Sequence, residues 1–404
     1  MVARWRVHSP GGSSYDDSHV FVPIIAGAWS LTQTRYIDSS AALAEAVSQC
    51  RSVAVVALDT EFIRTDTFYP LPALIQVFDA STVFLIDPVA IDDLEPLKAL
   101  LADDSVIKVM HSCSEDMDVF ARLLDVVPTP LVDTQIAASL AGLDFSISYQ
   151  RLVEQLLNQP LEKGETRSDW LQRPLSEKQL QYAADDVLWL LEVYQSLMER
   201  LAQQQRSSWL EEESRRLLED AHNPPPLEEY YLRIKSAWRL SGQSLVLLQM
   251  LCLWRERLAR EHNVPRGRIA SDSALYEIAR SRPKDKSQLS RVKALKPANI
   301  RQYGSQLLAI ANQQFEDETH SVLNVARAND AKALKDAIKH SKRLIARVAE
   351  EQSLPVEIVG RNRDVEQFLF AAERQRTLLG SGWRASLLGD SLTAIADRYN
   401  QEQG

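Results

Sequence analysis

Cysteine is scarce in this sequence: 404 residues contain only Cys50, Cys113 and Cys252. They are odd in number, far apart and without metal-ligand spacing, which implies neither a disulfide framework nor a zinc site and points to a reducing cytoplasm. Long apolar runs are missing too. A membrane span needs roughly 18 consecutive apolar residues, and the run from Val20 to Leu31 falls well short of that. It also follows Asp16 and Asp17, where an export signal would carry positive charge. Nor is there a net positive charge. The formal balance of −9 argues, taken alone, against a nucleic-acid ligand.

The remaining composition is that of an ordinary globular chain, 45% hydrophobic and 25% charged, long enough for two or three domains. Its charge is unevenly spread. Between Tyr231 and Phe315 stand 16 Lys+Arg against 5 Asp+Glu, a local +11 that leaves −20 for the rest of the chain. Such asymmetry suggests one module that holds a polyanion and another whose surplus carboxylates meet metal. A solvated basic helical face is the plainer alternative.

The run Val53-Ala54-Val55-Val56-Ala57-Leu58 reads as a buried strand, being short and without polar alternation, and it stops at Asp59-Thr60-Glu61-Phe62. Period-two geometry puts Asp59 and Glu61 on one face, where paired carboxylates suit a hard cation such as Mg²⁺ or Mn²⁺. A solvated strand end is the commoner meaning of such a pair, so more acids are needed.

Around this strand the chain alternates elements. A strand is expected over Thr34–Ile37 and a helix over Ala41–Cys50 with Ser39 or Ser40 as its cap. Strands Ala73–Phe78 and Thr82–Ile86 read as a hairpin about Asp79-Ala80-Ser81, followed by a helix over Asp93–Leu101 and a strand over Val106–Met110. A hairpin followed by alternation indicates a mixed sheet covered by helices. Next comes His111-Ser112-Cys113-Ser114-Glu115-Asp116, where Ser114 would cap a helix and Asp116 would occupy its first turn. The helix dipole alone favours an acid there, yet a strand-to-helix junction is also where a third carboxylate can face the first two. Further on, Ser176-Glu177-Lys178-Gln179 forms a capping box for a helix from Glu177 to Ala202. Tyr182 and Asp186 lie four apart on one face, Ala183 and Ala184 leave room beside them, and Asp185 points away as a surface acid.

Asp59-x-Glu61, Asp116 and Tyr182-x-x-x-Asp186, in that order and on those elements, resemble the three exonuclease motifs of the DEDD superfamily in its tyrosine-bearing branch. The phrasing of Leu58 to Phe62, Leu74-Ile75-Gln76, His111 to Asp116, Arg167-Ser168-Asp169-Trp170-Leu171 and Tyr182-Ala183-Ala184 is similar to that of the bacterial ribonuclease D family, over roughly Thr34 to Ala202. After the stiff Asn223-Pro224-Pro225-Pro226 linker, the phrase Arg266-Gly267-Arg268-Ile269-Ala270-Ser271-Asp272 and the later Arg280-Ser281-Arg282-Pro283 resemble the HRDC module shared by RecQ helicases and ribonuclease D. A fainter copy follows: Glu261-His262-Asn263-Val264-Pro265 recurs as Glu351-Gln352-Ser353-Leu354-Pro355, an offset of 90 residues.

This resemblance implies an α/β ribonuclease H-like exonuclease domain with a mixed central sheet, followed by two all-α HRDC-like helical domains. The boundaries expected are a mobile extension over 1–30, the exonuclease over 31–222, the linker over 223–232, the first HRDC domain over 233–318 and a divergent second one over 319–404. That second copy is nearly neutral, with 12 Lys+Arg and 10 Asp+Glu from Ala331 onward, and is expected to pack or shape a groove.

The implied activity is a metal-dependent 3′–5′ exoribonuclease that releases 5′-mononucleotides, using two divalent cations, Mg²⁺ or Mn²⁺, on RNA such as tRNA precursors, in a cytoplasmic monomer. By resemblance Asp59 bridges both ions, Glu61 and Asp186 complete the water-bearing site, Asp116 supports the second ion, and Tyr182 orients the attacking water. Thr60, Phe62, Gln76, His111, Lys163, Arg167 and Trp170 are expected substrate contacts, with core packing the alternative for the aromatics and a structural role the alternative for His111. Arg266, Arg268, Lys284, Lys286, Arg291 and Lys293 are the expected nucleic-acid contacts of the basic module. A DNA exonuclease shares the same acids, because the metals see phosphate and not the 2′-hydroxyl. A helicase is excluded by the missing Gly-x-x-x-x-Gly-Lys-[Ser/Thr] loop. A catalytically silent binding protein would need a broken ligand set, and all four acids and the tyrosine are intact.

Overall fold

The first half of the chain builds a sheet of β1 (Gln33–Ile37), β2 (Val55–Ile63), β3 (Leu71–Phe78), β4 (Thr82–Ile86), β5 (Ile107–Met110) and β6 (Leu131–Asp133), in the order β1-β4-β3-β2-β5-β6. This computed structural model describes residues 33–161, 164, 168–315 and 331–401. The extension expected over 1–30 lies outside them. The sheet is mixed: β3 runs antiparallel to β2 and β4, whereas β1 pairs parallel with β4, β5 with β2, and β6 with β5. The hairpin turn is held by Asp79, whose carboxylate accepts from the Ser81 and Thr82 amides at 2.8 and 2.7 Å.

Side-chain alternation divides the sheet into two buried faces. Val56, Leu58, Ile75, Val77, Phe84 and Ile86 face α1 (Ser40–Cys50), α2 (Glu95–Leu101) and α3 (Ser114–Leu124). Ala57, Leu74, Phe78, Val83 and Leu85 form the opposite core. After α4 (Thr134–Leu140) and α5 (Tyr149–Leu157), that second face is covered by α6 (Glu177–Leu188) and α7 (Leu190–Gln203), and α8 (Ser207–His222) follows.

Three local expectations are corrected. The carboxylate strand does not stop at Asp59, because β3 supplies backbone partners as far as Ile63↔Leu71; the register shift falls just after Glu61, so a bulge re-aims the chain beyond the second acid. Ser114 is the first helical residue and not the cap, which is Cys113 without a side-chain bond. The helix expected from Glu177 to Ala202 is two helices, broken at Trp189.

The described residues fall into two compact units. One comprises those of Met1–Ile63, Leu71–His222 and Lys342–Leu392; the other comprises Arg64–Pro70, the described part of Asn223–Ser341, and the chain from Thr393. The second half contributes α9 (Gly242–Glu261), α10 (Arg266–Ile269), α11 (Asp272–Ser281), α12 (Lys286–Leu289) and α13 (Pro297–Ala311), then α14 (Ala331–Glu351), α15 (Val356–Val359), α16 (Asn362–Phe370) and α17 (Gly382–Gln401). In the sheet-bearing unit, Arg384 of α17 ion-pairs with Glu213 of α8, Trp383 Nε1 donates to the same carboxylate at 2.8 Å, and Trp383 stacks on Trp209 with centroids 4.6 Å apart. In the other unit the α9–α13 core surrounds Leu247, Leu251, Leu275 and Leu307 and takes in Phe68. Asn263 Oδ1 there accepts from the Phe68 and Tyr69 amides at 3.1 and 3.0 Å. Cys50 and Cys113 are buried in the sheet core and Cys252 in the helical core. Among the described residues no helix is long and apolar enough to cross a membrane.

Candidate active site

Asp59 and Glu61 have the parity of Ala57, so β2 directs both toward the face covered by α6. α6 packs against β2, β3 and β4 and is started by the expected capping box, in which the Ser176 hydroxyl accepts from Gln179 N while the Gln179 side chain receives the Ser176 amide. Tyr182 and Asp186 lie one turn apart on it, and the Tyr182 hydroxyl bonds the Asp186 carboxylate. Asp116, at the first turn of α3, is buried and accepts from the Thr60 hydroxyl at 2.5 Å.

Electrostatics gather these groups into one cluster. Burial holds Asp59 well above the usual carboxylate range, and the charges of Asp116, Asp186 and Glu61 raise it further. Burial pushes Glu61 up to about 9, helped by Asp186 and Asp116. Asp186 rises to about 7 and Asp116 to about 6, burial being the main cause in both; the Tyr182 and Thr60 hydroxyls respectively oppose it. Burial and the neighbouring acids drive the Tyr182 phenol far above its ordinary value, so it is a proton-bearing donor at neutral pH. The charges that act most strongly on the four acids are those of other carboxylates.

No three His, Cys, Asp or Glu side chains among the described residues close into a ready cation cage; the four acids are coupled through their charges at longer range. Their chemistry nevertheless fits a hard divalent cation. All four are oxygen donors, and mutual repulsion raises their proton affinity, a strain that bound positive charge would relieve.

The expected substrate contacts divide by burial. Thr60 supports Asp116, as above, and Phe62 is half-buried in β2. Gln76, paired with Asp59 across β2 and β3, is 0% exposed, and neither of its amide atoms has a partner among the described residues. It therefore backs Asp59 and presents no surface to a terminal sugar. Trp170 is 2% exposed, in the core with Leu175 and Ala183 and 6.1 Å from the Tyr182 ring, which is a packing position and not a wedge. His111 has both ring nitrogens engaged, at 2.9 Å with Thr134 Oγ1 and 3.0 Å with the Ile147 carbonyl, and burial holds its imidazole below the usual range. Lys163 and Arg167 lie outside the described residues.

Two supporting residues escaped the sequence reading. Asp133, the last residue of β6, accepts from the Ser112, Cys113 and Gln135 amides at 3.0, 3.1 and 2.8 Å. It thereby fixes the left-handed Ser112 turn that launches α3 and Asp116. An Asp directly before a helix was the available signal: Asp133 also caps α4. Gly164 lies against the Tyr182 ring so closely that a β-carbon there would overlap it.

In the helical unit, Arg266 pairs with the buried Glu256 and lies over the Phe68 and Tyr230 rings, while Arg268 pairs with Asp66. Lys284, Lys286, Arg291 and Lys293 are exposed. A cavity of about 400 Å³ in the same unit is lined by Arg233, Lys235, Tyr276 and Arg280, with Asp272 and Glu277. Asp272 is already paired with Arg255.

Comparison with known proteins agrees with this geometry. Residues 34–202 match the 3′-5′ exonuclease family and residues 244–311 the HRDC domain. Ribonuclease D of Shewanella sp. strain ANA-3 is 36% identical over 375 residues, covering 91% of this chain and 95% of that protein. Ribonuclease D of Pseudomonas paraeruginosa is 38% identical over 369 residues, covering 89% and 96%. The crystal structure of Escherichia coli RNase D, described as an exoribonuclease involved in structured RNA processing, superposes with a TM-score of 0.81 at 32% identity, over 91% of this chain and 99% of that one. With matches that run nearly end to end, the chain belongs to the ribonuclease D family of 3′–5′ exoribonucleases.

Proposed function

We propose that this exoribonuclease trims the 3′ ends of structured RNA, tRNA precursors foremost, releasing one 5′-mononucleotide at a time and working as a cytoplasmic monomer. The observation that carries the reading is the coupled set of Asp59, Glu61, Asp116 and Asp186 beside Tyr182. Two divalent cations, Mg²⁺ or Mn²⁺, held by those four acids, would supply the charge that activates water and steadies the leaving 3′-oxygen. The chain's own groups do the rest. Tyr182 keeps its proton, donates it in a hydrogen bond to the Asp186 carboxylate and orients water through its oxygen; it does not act as a bulk base. Thr60 fixes Asp116, and Asp133 fixes the turn before it. Hydrolysis then breaks the terminal phosphorus to O3′ bond and leaves a 5′-phosphate on the departing nucleotide.

The helical module over 233–318 is assigned the RNA backbone. Because Arg266 and Arg268 are taken up in ion pairs, the cavity cations Arg233, Lys235 and Arg280 are better placed to meet phosphate than those two. The module over 319–404 is assigned a packing role, in keeping with the Arg384–Glu213 and Trp383–Trp209 contacts of its 342–392 part.

The test uses 5′-labelled tRNA bearing a short 3′ trailer, beside single-stranded DNA of the trailer sequence, with Mg²⁺, Mn²⁺ or chelator and with Asp186→Asn as control. A one-nucleotide ladder on RNA that needs both metal and Asp186 is the expected result. Faster laddering on DNA would overturn the substrate, and a ladder surviving in chelator would overturn the mechanism.

A further inference from the structure

The helix that carries Tyr182 and Asp186 ends where a continuous helix would bond the Trp189 amide to the Asp185 carbonyl. The Tyr149 hydroxyl occupies that gap. It donates to the Asp185 carbonyl at 3.3 Å and lies against the Trp189 amide, which also turns back to the Val187 carbonyl. A side chain inserted into the i to i−4 ladder is a recognised cause of a helix break, and here α6 stops at Leu188 and α7 starts at Leu190. The Tyr149 phenol feels the charges of both Asp186 and Asp59, so the hydroxyl stands beside the acid cluster itself.

The preceding residues tie in the second motif. The Ile147 carbonyl accepts from His111 Nε2 and from Gln135 Nε2, each at 3.0 Å. His111 opens the turn into α3 and Asp116, and its ring lies 5.7 Å from that of Tyr149. One three-residue segment therefore grips the turn that delivers Asp116 and the break that follows Asp186.

We propose that Ile147–Tyr149 is a strut that sets the spacing between Asp116 and Asp186, with the Tyr149 hydroxyl as the positioning residue that keeps Asp186 turned into the cluster. The inference rests on the reading of the four acids as a divalent-cation site. Removing the hydroxyl lets the Trp189 amide reclaim Asp185, closing the break and rotating Asp186. Gln76 and Asp133 remain untouched by that change.

Tyr149→Phe keeps the ring and deletes the hydroxyl. Mn²⁺ affinity is measured by titration calorimetry on the full chain without RNA, next to thermal unfolding in chelator and steady-state trimming. Mn²⁺ binding should weaken about 10-fold, the size typical of residues that support metal ligands, with kcat falling in parallel, KM within about twofold and the thermal midpoint within about 2 °C of the parent. Gln135→Met loosens the other end of the strut and should weaken Mn²⁺ binding in the same direction. If the parent binds Mn²⁺ and both variants bind it equally well, or if each loss only tracks a lower thermal midpoint, the strut is refuted while the metal site stands. If the parent itself binds no Mn²⁺, the metal reading fails and the strut with it.

Discussion

The ring of Tyr182 leaves no room for a side chain at position 164, where a β-carbon would overlap it. Gly164→Ala should therefore displace the phenol from Asp186. Because Tyr182 orients water from its bond to Asp186, kcat should fall about 10-fold or more, while RNA affinity in chelator is preserved. Equal kcat in the variant would mean that the ring is free to yield. Glu61 supplies a second test through its titration. Its carboxyl stands at about 9 and that of Asp186 at about 7, both above their unfolded values of 4.5 and 3.8. The folded chain thus binds more protons than the unfolded one across that window, so this contribution to stability is present at low pH and is lost as pH rises through the folded values. In chelator the thermal midpoint should fall from pH 6 to pH 9, and Glu61→Gln should flatten the fall and raise the midpoint at pH 8. A variant as pH-sensitive as its parent would assign the titration elsewhere.

Elements differ in how far the sequence discloses them. Asp59, Glu61, Tyr182 and Asp186 were legible because each obeys a local period, two along a strand or four along a helix. Asp116 was legible from its place at a strand-to-helix junction. What escaped was set by distant residues. β2 continues past its acids because β3 pairs with it, and the helix after Glu177 breaks because Tyr149, from another element, enters its ladder. β6 is three residues long, too short to carry a pattern. α17 is long enough to carry one, but its Arg384 is buried against Glu213 of α8, 171 residues away, a pairing that no local pattern announces. Removing one partner of a buried pair leaves the other charge uncompensated. Glu213→Ala should therefore cost about 3–5 kcal/mol of unfolding free energy, measured by denaturant titration. A loss below about 1 kcal/mol, the size of a surface pair, would mean that water reaches the Arg384 guanidinium.

For the whole molecule, charge and connectivity pull against the simplest dissection. Cutting after Asn223 removes the basic segment, but it also strips Trp383 and Arg384 from Trp209 and Glu213, so a drop in activity would be ambiguous. Charge reversal avoids this. Lys235→Glu with Arg280→Glu should weaken RNA binding and reduce the slope of log affinity against log salt by about 0.7 for each single-strand phosphate that is no longer neutralised. Arg268→Glu, which breaks only the Asp66 pair, should change the slope less. The reverse ranking would move the RNA path to the α10 end of the module.

The three cysteines acquire a use from where they lie. Cys50 and Cys113 are sealed in the sheet core and Cys252 in the helical core, so a thiol reagent can modify each only when its own core opens. Burial has made them natural clocks: the rate at which Cys252 takes up label, set against the rate for Cys50 and Cys113, times the breathing of the helical unit separately from that of the sheet, with no probe added to the chain.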